Sequence, residues 1–108
     1  MEPIVTKLAG VTFDDAQENI IKFGCKDIGS YALVREPDNP EDPNAIRVAL
    51  AGKLFVGYIP RKIAKELAPE IDAGRRFIAI FVKRNEHPRY KTVGLLVRIE
   101  EVSEKLAA

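Results

Sequence analysis

Apolar residues recur along this chain in short runs that predict β-strands, and two further stretches have helical spacing. Strands are expected over residues 4–13, 30–35, 45–50, 54–59, 77–83 and 93–102. Ala51-Gly52-Lys53 is expected to join the third and fourth strands into a hairpin, and residues 84–92 form a polar turn. Five or six short strands with two helices predict a small closed or nearly closed barrel with helices covering an open edge.

The first predicted helix runs from about Asp15 to Phe23 and has an apolar inner face. Asp14 is placed as its N-cap, and Gln17 stands where a capping box requires a glutamine or glutamate. Gly24 suits the C-terminal cap. Gly10, inside the preceding strand, predicts a bulge or a close backbone approach.

The second predicted helix begins at Pro60, a residue that is well tolerated at a helix start. Its apolar stripe is formed by Ile63, Ala64, Leu67, Ala68 and Ile71. Pro69 is expected to break or kink the helix before Gly74 terminates it.

A polar loop rich in proline follows the second strand. Its sequence over residues 35–46 is Arg-Glu-Pro-Asp-Asn-Pro-Glu-Asp-Pro-Asn-Ala-Ile. Each proline fixes φ and pushes the preceding residue toward an extended conformation, and Asn and Asp close turns through their own side chains. An ordered polar loop on a scaffold is a common place for a binding function; an elaborate connection between two strands is the alternative.

The chain resembles the HIRAN domain family from about Gly10 to Gly74. The resemblance rests on this loop, the short strand after it, the sequence Val-Gly-Tyr-Ile-Pro-Arg over residues 56–61 and the Ala/Leu helix. The resemblance implies a mainly β fold with two short helices, a small five- or six-stranded β-barrel related to the OB fold. It also implies DNA binding, with single-stranded 3′-hydroxyl ends as the best understood ligand. Family members occur as modules of helicase-like repair enzymes and as small stand-alone bacterial proteins. One domain over residues 1–108 is expected, with residues 103–108 adding a helical turn or fraying.

Candidate DNA contacts lie around the loop and the start of the second helix. Phe13 and Tyr58 stand at strand ends, where a ring can stack on a base for about 1–3 kcal/mol; Phe13 equally suits a hydrophobic staple on the first helix. The family motif gives Asp42 the role of accepting a hydrogen bond from a terminal sugar hydroxyl, and Asn39 belongs to the same loop. A phosphate suits the helix start, which carries the basic residues Arg61, Lys62 and Lys65.

Two positions depart from the family pattern. The residue before Asp42, often aromatic in the family, is Glu41, and the lead-in Val11-Thr12 carries no basic residue. Both departures remove groups that attract or stack on a nucleotide.

Charge is balanced over the chain but unevenly placed. Seventeen basic and sixteen acidic residues nearly cancel, which argues against a protein held on nucleic acid by bulk charge. The segment from Arg61 to Lys91, however, contains nine basic residues and four acids. These cations either line a groove that follows phosphates or form an ordinary solvated surface.

No catalytic or cofactor-binding arrangement is found in the sequence, so neither enzymatic activity nor a cofactor is expected. The single Cys25 excludes an internal disulfide and a Cys-rich zinc site, and His87 is remote from it in sequence. Asp38, Glu41 and Asp42 lack calcium-loop spacing and are interpreted as turn-closing acids. No apolar run approaches membrane-helix length and the N-terminus does not resemble a signal peptide, so a cytoplasmic protein without a membrane partner is expected.

Three hypotheses follow. The first is a DNA-binding module with a helicase, nuclease or other protein as a further partner, whose affinity for DNA falls with salt. The second is a protein-interaction or regulatory domain that uses the same groove or a strand edge for a peptide; near-neutral charge and Glu41 favour it. A metal-dependent nuclease is a distant third. Oligomeric state is not predicted by the sequence.

Overall fold

The computed structural model describes residues 1–102, and this part of the chain forms six strands and two helices. The elements in chain order are β1 (Ile4–Lys7), α1 (Ala16–Phe23), β2 (Ser30–Arg35), β3 (Ile46–Leu50), β4 (Leu54–Tyr58), α2 (Arg61–Asp72), β5 (Phe77–His87) and β6 (Tyr90–Glu101). All strands pair antiparallel in one sheet of order β1-β6-β5-β2-β3-β4. The predicted mainly β, OB-like fold is confirmed; the expected fraying of residues 103–108 lies outside the described residues.

The two edges of the sheet meet at one point, which curls the sheet into a half-barrel. Ala9 and Tyr58 exchange two backbone hydrogen bonds of 2.8 Å, joining the chain after β1 to the end of β4. Gly57 permits this approach, because a Cβ there would lie 2.9 Å from the Ala9 carbonyl oxygen. The sheet closure therefore places Tyr58 directly beside the segment that follows β1.

Helix α1 covers the gap between β4 and β6. Gln17 Nε2 donates to the carbonyls of Val11 (2.7 Å) and Val93 (2.9 Å), and the Val93 N–H donates to Gln17 Oε1 at 2.8 Å. On the β4 side, Asn19 Nδ2 donates to the Phe55 carbonyl at 2.8 Å. The prediction that a helix covers an open edge is confirmed for α1.

The capping box predicted for α1 is wrong. The N-cap is Asp15, with no side-chain cap hydrogen bond, and Asp14 has a left-handed φ of 45°. Gln17 cannot cap the helix because its amide is used by Val11 and Val93. Gly24 is the C-cap, as predicted.

Helix α2 buries the apolar stripe that the sequence predicts. Ala64, Leu67 and Ala68 are buried, and Ile63 and Ile71 pack against the core. Pro69 does not end the helix, which continues to Asp72 before Gly74 adopts a φ of 98°. The last turn holds after the proline because its carbonyl accepts the Ala73 N–H at 3.0 Å.

Two strand boundaries differ from the predictions. The first strand ends at Lys7 rather than residue 13, because Gly10 (φ 60°) and Asp14 turn the chain away from the sheet. The polar turn predicted over residues 84–92 is also wrong: β5 and β6 stay paired out to His87 and Tyr90. Polar residues continue the pairing there because a two-stranded ribbon can satisfy its backbone without burying a face.

Candidate functional site

A cleft of about 370 Å³ lies between the turn after β1, the polar loop and the start of α2. Five of the seven candidate residues line it: Phe13, Asn39, Asp42, Tyr58 and Arg61. Lys62 and Lys65 are exposed on α2 and do not line the cleft. Lys65 is one helical turn beyond Arg61 on the same face. The remaining lining residues, Ala9, Gly10, Pro40, Glu41, Ala45 and Ile59, were not among the candidates.

Arg35, at the end of β2, fastens the polar loop to the fold. Its guanidinium donates to the carbonyls of Ala45 (2.9 Å) and Pro43 (3.0 Å), at the far end of the loop. It also makes a two-pronged contact with Asp72 at the end of α2, at 2.9 and 3.1 Å. This contact holds the pKa of the Asp72 carboxyl below its usual range. One mostly buried side chain therefore joins both ends of the loop to α2.

Within the loop, two side chains close local turns. Asn39 Oδ1 accepts the Glu41 N–H at 2.9 Å, and Asp42 Oδ1 accepts the Asn44 N–H at 2.9 Å. The turn-closing role predicted for Asp38, Glu41 and Asp42 is confirmed for Asp42, whereas the carboxylates of Asp38 and Glu41 accept no hydrogen bond from the described residues. Because one oxygen of Asp42 is used in this way, the position of its second oxygen is set as well.

Glu36 holds the aromatic wall of the cleft. The Tyr58 hydroxyl donates to Glu36 Oε1 at 2.8 Å, and Asn39 Nδ2 donates to the same oxygen at 3.0 Å. Burial, followed by the hydrogen bond and charge of Glu36, raises the pKa of the Tyr58 phenol. Phe55 packs edge-on against the Tyr58 ring, with centroids 5.2 Å apart. Sequence reasoning gave Glu36 only a backbone role before Pro37, because its partner lies 22 residues away on another strand.

Gly10 lies between the two candidate rings. A Cβ at Gly10 would lie 2.9 Å from Phe13 Cδ2 and 3.1 Å from Tyr58 Cδ2. The close backbone approach predicted for Gly10 is therefore confirmed. Phe13 is 57% exposed, so its ring is presented at the cleft and not buried under α1 as a staple.

Arg61 and Asp42 form the charged edge of the cleft. Arg61 Nε lies 3.6 Å from Asp42 Oδ2, and Arg61 Nη2 donates to the Glu41 carbonyl at 3.2 Å. The Arg61 side chain is 73% exposed, whereas that of Asp42 is 17% exposed. Glu41 also lines the cleft, so its charged groups are one guanidinium and two carboxylates.

The start of α2 faces the same edge. The N–H groups of Ile63 and Ala64 both bond the Pro60 carbonyl, while those of Arg61 and Lys62 have no partner in the described part of the chain. No acid lies in the first turn. Free N–H groups and a positive helix end suit an anion.

The other predicted cations are not gathered into one groove with the cleft. Arg75 pairs with Glu70 and Glu101, and it lines a second cavity of about 460 Å³ near Phe77. The cations of residues 83–91 lie at the outer end of the hairpin formed by β5 and β6. Of these nine cations, Arg61 lines the cleft, and the groove that follows phosphates stays a prediction.

Residues 1–102 contain neither a metal-binding cluster of acidic, His or Cys side chains nor a membrane-spanning helix. No group of three or more His, Cys, Asp and Glu is arranged to hold a metal ion in this part of the chain. None of its helices has the length and apolar character needed to cross a membrane.

Comparisons with known proteins relate the whole described barrel to one family. A model described as the HIRAN domain matches residues 4–101. The chain is 48% identical over 46 residues to a Fanconi-associated nuclease 1 homolog of Oryza sativa subsp. japonica, covering 40% of this chain and 5% of that protein. It is 37% identical over 71 residues to the Arabidopsis thaliana homolog, covering 66% and 7%. The chain thus spans less than a tenth of the length of these relatives.

Two solved structures share the fold. The HIRAN domain of human HLTF aligns with a TM-score of 0.63 and 19% identity, covering 90% of this chain and 74% of that one. A protein from Lactobacillus plantarum aligns with a TM-score of 0.63 and 24% identity, covering 92% and 97%. At these identities the two likenesses concern the barrel and its topology.

Proposed function

Because this chain belongs to the HIRAN domain family, a family of DNA-binding modules, we propose that its cleft binds the 3′-terminal nucleotide of single-stranded DNA during DNA repair or processing. The observation that carries this proposal is the position of Asp42 and Arg61 on one edge of a cleft whose wall contains Phe13 and Tyr58. We treat residues 1–108 as one domain that binds and does not catalyse. The relatives named as nucleases make a repair setting reasonable.

The aromatic wall supports base stacking. Phe13 is exposed, and Tyr58 is held in place by its hydrogen bond to Glu36. A ring that is already oriented loses little conformational freedom when a base stacks on it. Stacking of this kind tolerates any base, so the cleft is expected to have little sequence preference.

Asp42 supports recognition of a free hydroxyl. Its Oδ1 is used by the Asn44 N–H, and its Oδ2 lies 3.6 Å from Arg61, beyond hydrogen-bond distance. Oδ2 is thus available to accept a hydrogen bond from a 3′-hydroxyl. A 3′-phosphate would instead meet the carboxylates of Asp42 and Glu41, and like charges repel.

The penultimate phosphate is assigned to Arg61 and the start of α2. Arg61 is exposed, and its own N–H and that of Lys62 have no partner among residues 1–102. Lys65, one turn further along the helix, continues this basic edge, and Lys62 lies next to Arg61. Asn39 completes the site by holding the Glu36 carboxylate and the turn that precedes Asp42.

A protein ligand is the second candidate, and the charge of the cleft favours it. Two carboxylates against one guanidinium make the cleft less attractive to a polyanion than to a basic or neutral peptide. Such a module would bind without dependence on a DNA end and with a weak response to salt.

Fluorescence anisotropy of a labelled single-stranded oligonucleotide tests the proposal. Oligonucleotides ending in a 3′-hydroxyl and a 3′-phosphate are compared at low and moderate salt. We expect tighter binding to the hydroxyl end and an affinity that falls with salt. Binding that is indifferent to the end but sensitive to salt would exclude 3′-end capture and indicate a general nucleic-acid surface. No binding even at low salt would leave the protein-ligand candidate.

A further inference from the structure

The tip of the β5–β6 hairpin is strongly basic, although the chain as a whole is nearly neutral. We call residues 82–92 the ribbon. It contains four basic residues and one acid, Glu86. With seventeen basic and sixteen acidic residues in the chain, thirteen basic and fifteen acidic residues remain elsewhere. The ribbon therefore carries a net positive charge on a molecule that is otherwise slightly acidic.

Three of the ribbon's cations are available to a ligand. Lys83, Arg89 and Lys91 are exposed and make no ion pair within residues 1–102. Arg84 differs, because it donates to the Ile21 carbonyl of α1 at 3.2 Å and lies 3.6 Å from Glu86. Arg84 thus fixes the ribbon against α1 while the other three cations face solvent.

The ribbon also presents an aromatic ring. Tyr90 is 68% exposed, and its ring lies 4.7 Å from that of His87. His87 Nδ1 accepts the Arg89 N–H at 3.0 Å, which holds the turn between the two strands. Aromatic residues interleaved with cations are typical of surfaces that bind single-stranded nucleic acid.

The ribbon begins close to the segment that leads to Phe13, one of the residues that line the cleft. Gln17 bonds both Val93, at the base of the ribbon, and Val11, in the turn that leads to Phe13. Arg89 lies four positions before Val93, at most roughly 13 Å away along an extended chain. A DNA strand that leaves the cleft on its Phe13 side is therefore expected to pass within reach of the ribbon.

We propose that the ribbon is a second DNA contact, which binds the phosphates of nucleotides upstream of the 3′ end through Lys83, Arg89 and Lys91, with Tyr90 as a stacking surface. The inference rests on the proposed function of the cleft and extends it. The cleft holds only one guanidinium against two carboxylates, so it supplies little general attraction for a polyanion. The ribbon supplies that attraction, so a DNA strand must be long enough to reach it in order to bind tightly.

The test uses single strands of about four and about sixteen nucleotides, the range of site sizes on such folds. The triple variant Lys83→Gln, Arg89→Gln and Lys91→Gln removes the three free cations. Its matched control, Lys7→Gln, Lys53→Gln and Arg76→Gln, removes the same charge from exposed positions elsewhere. Arg89→Glu, in the exposed turn, is a second variant in case the triple variant folds poorly.

The ribbon triple is expected to bind the long strand at least about tenfold more weakly than the native chain. Its slope of log K against log salt is expected to fall by about 2, since each lost phosphate contact on a single strand removes about 0.7. Binding of the short strand and the preference for a 3′-hydroxyl are expected to be unchanged. The control triple is expected to match the native chain on both strands.

The outcomes separate this inference from the function of the cleft. Unchanged affinity and salt slope in the ribbon triple would overturn the ribbon contact while the cleft's 3′-hydroxyl preference persists. Ribbon-dependent binding without any end preference would support the ribbon and refute 3′-end capture. Binding of neither strand by the native chain would overturn both, as would ribbon-dependent binding to phosphatidylserine vesicles with none to DNA.

Discussion

The Tyr58 hydroxyl donates a 2.8 Å hydrogen bond to Glu36, so a residue of the polar loop orients a ring that β4 contributes. The same carboxylate oxygen accepts from Asn39 at 3.0 Å. The loop and the aromatic wall are thus coupled through one acid. A change at Glu36 is expected to affect the Tyr58 phenol directly, without removing any group that contacts the proposed ligand.

Replacing Glu36 with glutamine is expected to lower the pKa of the Tyr58 phenol. Glutamine removes the carboxylate, whose hydrogen bond and charge help to raise that pKa, while burial continues to raise it. NMR titration of the tyrosine rings measures the change. Tyr31, whose pKa is raised to about 12 by burial and by Cys25, is the internal control and is expected to stay unchanged. An unaltered Tyr58 pKa would show that Glu36 does not hold the ring in solution.

Gly10→Ala is expected to destabilise the fold more than Gly52→Ala. Both glycines have a left-handed φ, 60° and 73°, which costs alanine roughly 1–2 kcal/mol. Only at Gly10 would the new Cβ meet the Phe13 and Tyr58 rings, since a Cβ at Gly52 would meet no heavy atom of the described residues within 4 Å. We expect an extra loss of about 1 kcal/mol at Gly10 in urea unfolding, together with weaker DNA binding. Equal losses of stability at both sites would mean that the Phe13 and Tyr58 rings move aside without a measurable cost.

Gln17→Ala is expected to lower the free energy of unfolding by about 2 kcal/mol, because three hydrogen bonds joining α1 to Val11 and Val93 are lost. Lys22→Ala on the same helix is the control. It removes only an exposed ion pair with Glu18, worth about 0.5 kcal/mol or less. Chemical denaturation of both variants gives the comparison, and similar losses would indicate that Gln17 does not bridge the two segments.

Tyr31→Phe is expected to reduce the loss of stability at alkaline pH. Burial raises the Tyr31 pKa to about 12 in the folded state, above the ordinary value of about 10. The stabilising contribution is therefore complete below pH 10 and is lost as the pH rises through 12. Near pH 8 the variant is expected to lose about 1 kcal/mol, because the 2.6 Å bond to the Phe23 carbonyl disappears. Chemical unfolding of both proteins at pH 8 and pH 11 measures both effects. If the native chain and the variant lost equal stability between these pH values, the raised pKa of Tyr31 would be contradicted.

Features determined by neighbours in sequence could be predicted from the sequence. β2, the β3–β4 hairpin and the buried stripe of α2 all follow from local periodicity and turn residues. The rigid loop was also predictable, because proline and the Asn and Asp side chains act within a few residues. Four cleft residues, Asn39, Asp42, Tyr58 and Arg61, could be named because they lie in the loop or in residues 56–61, whereas Phe13 was named as the end of a strand that in fact stops at Lys7.

Features that depend on distant partners were not predictable. Gln17 matched a capping box, but its partner Val93 lies 76 residues away. Glu36 and Tyr58 meet only because the sheet curls and brings β2 and β4 to the same cleft. The length of the ribbon was missed because its residues are polar, and hydrophobic periodicity does not detect pairing outside the core.

The most direct test of the account is the preference for a 3′-hydroxyl over a 3′-phosphate, measured for the native chain and for Asp42→Asn. Asparagine can keep the turn through the Asn44 N–H but removes the carboxylate that is proposed to accept the hydroxyl. A charged hydrogen bond is worth about 1.5–3 kcal/mol, so the native chain is expected to prefer the hydroxyl end by at least about tenfold. In Asp42→Asn the preference is expected to fall toward unity. A native chain without preference, or a variant that retains it in full, would contradict the assignment of this cleft to DNA 3′ ends.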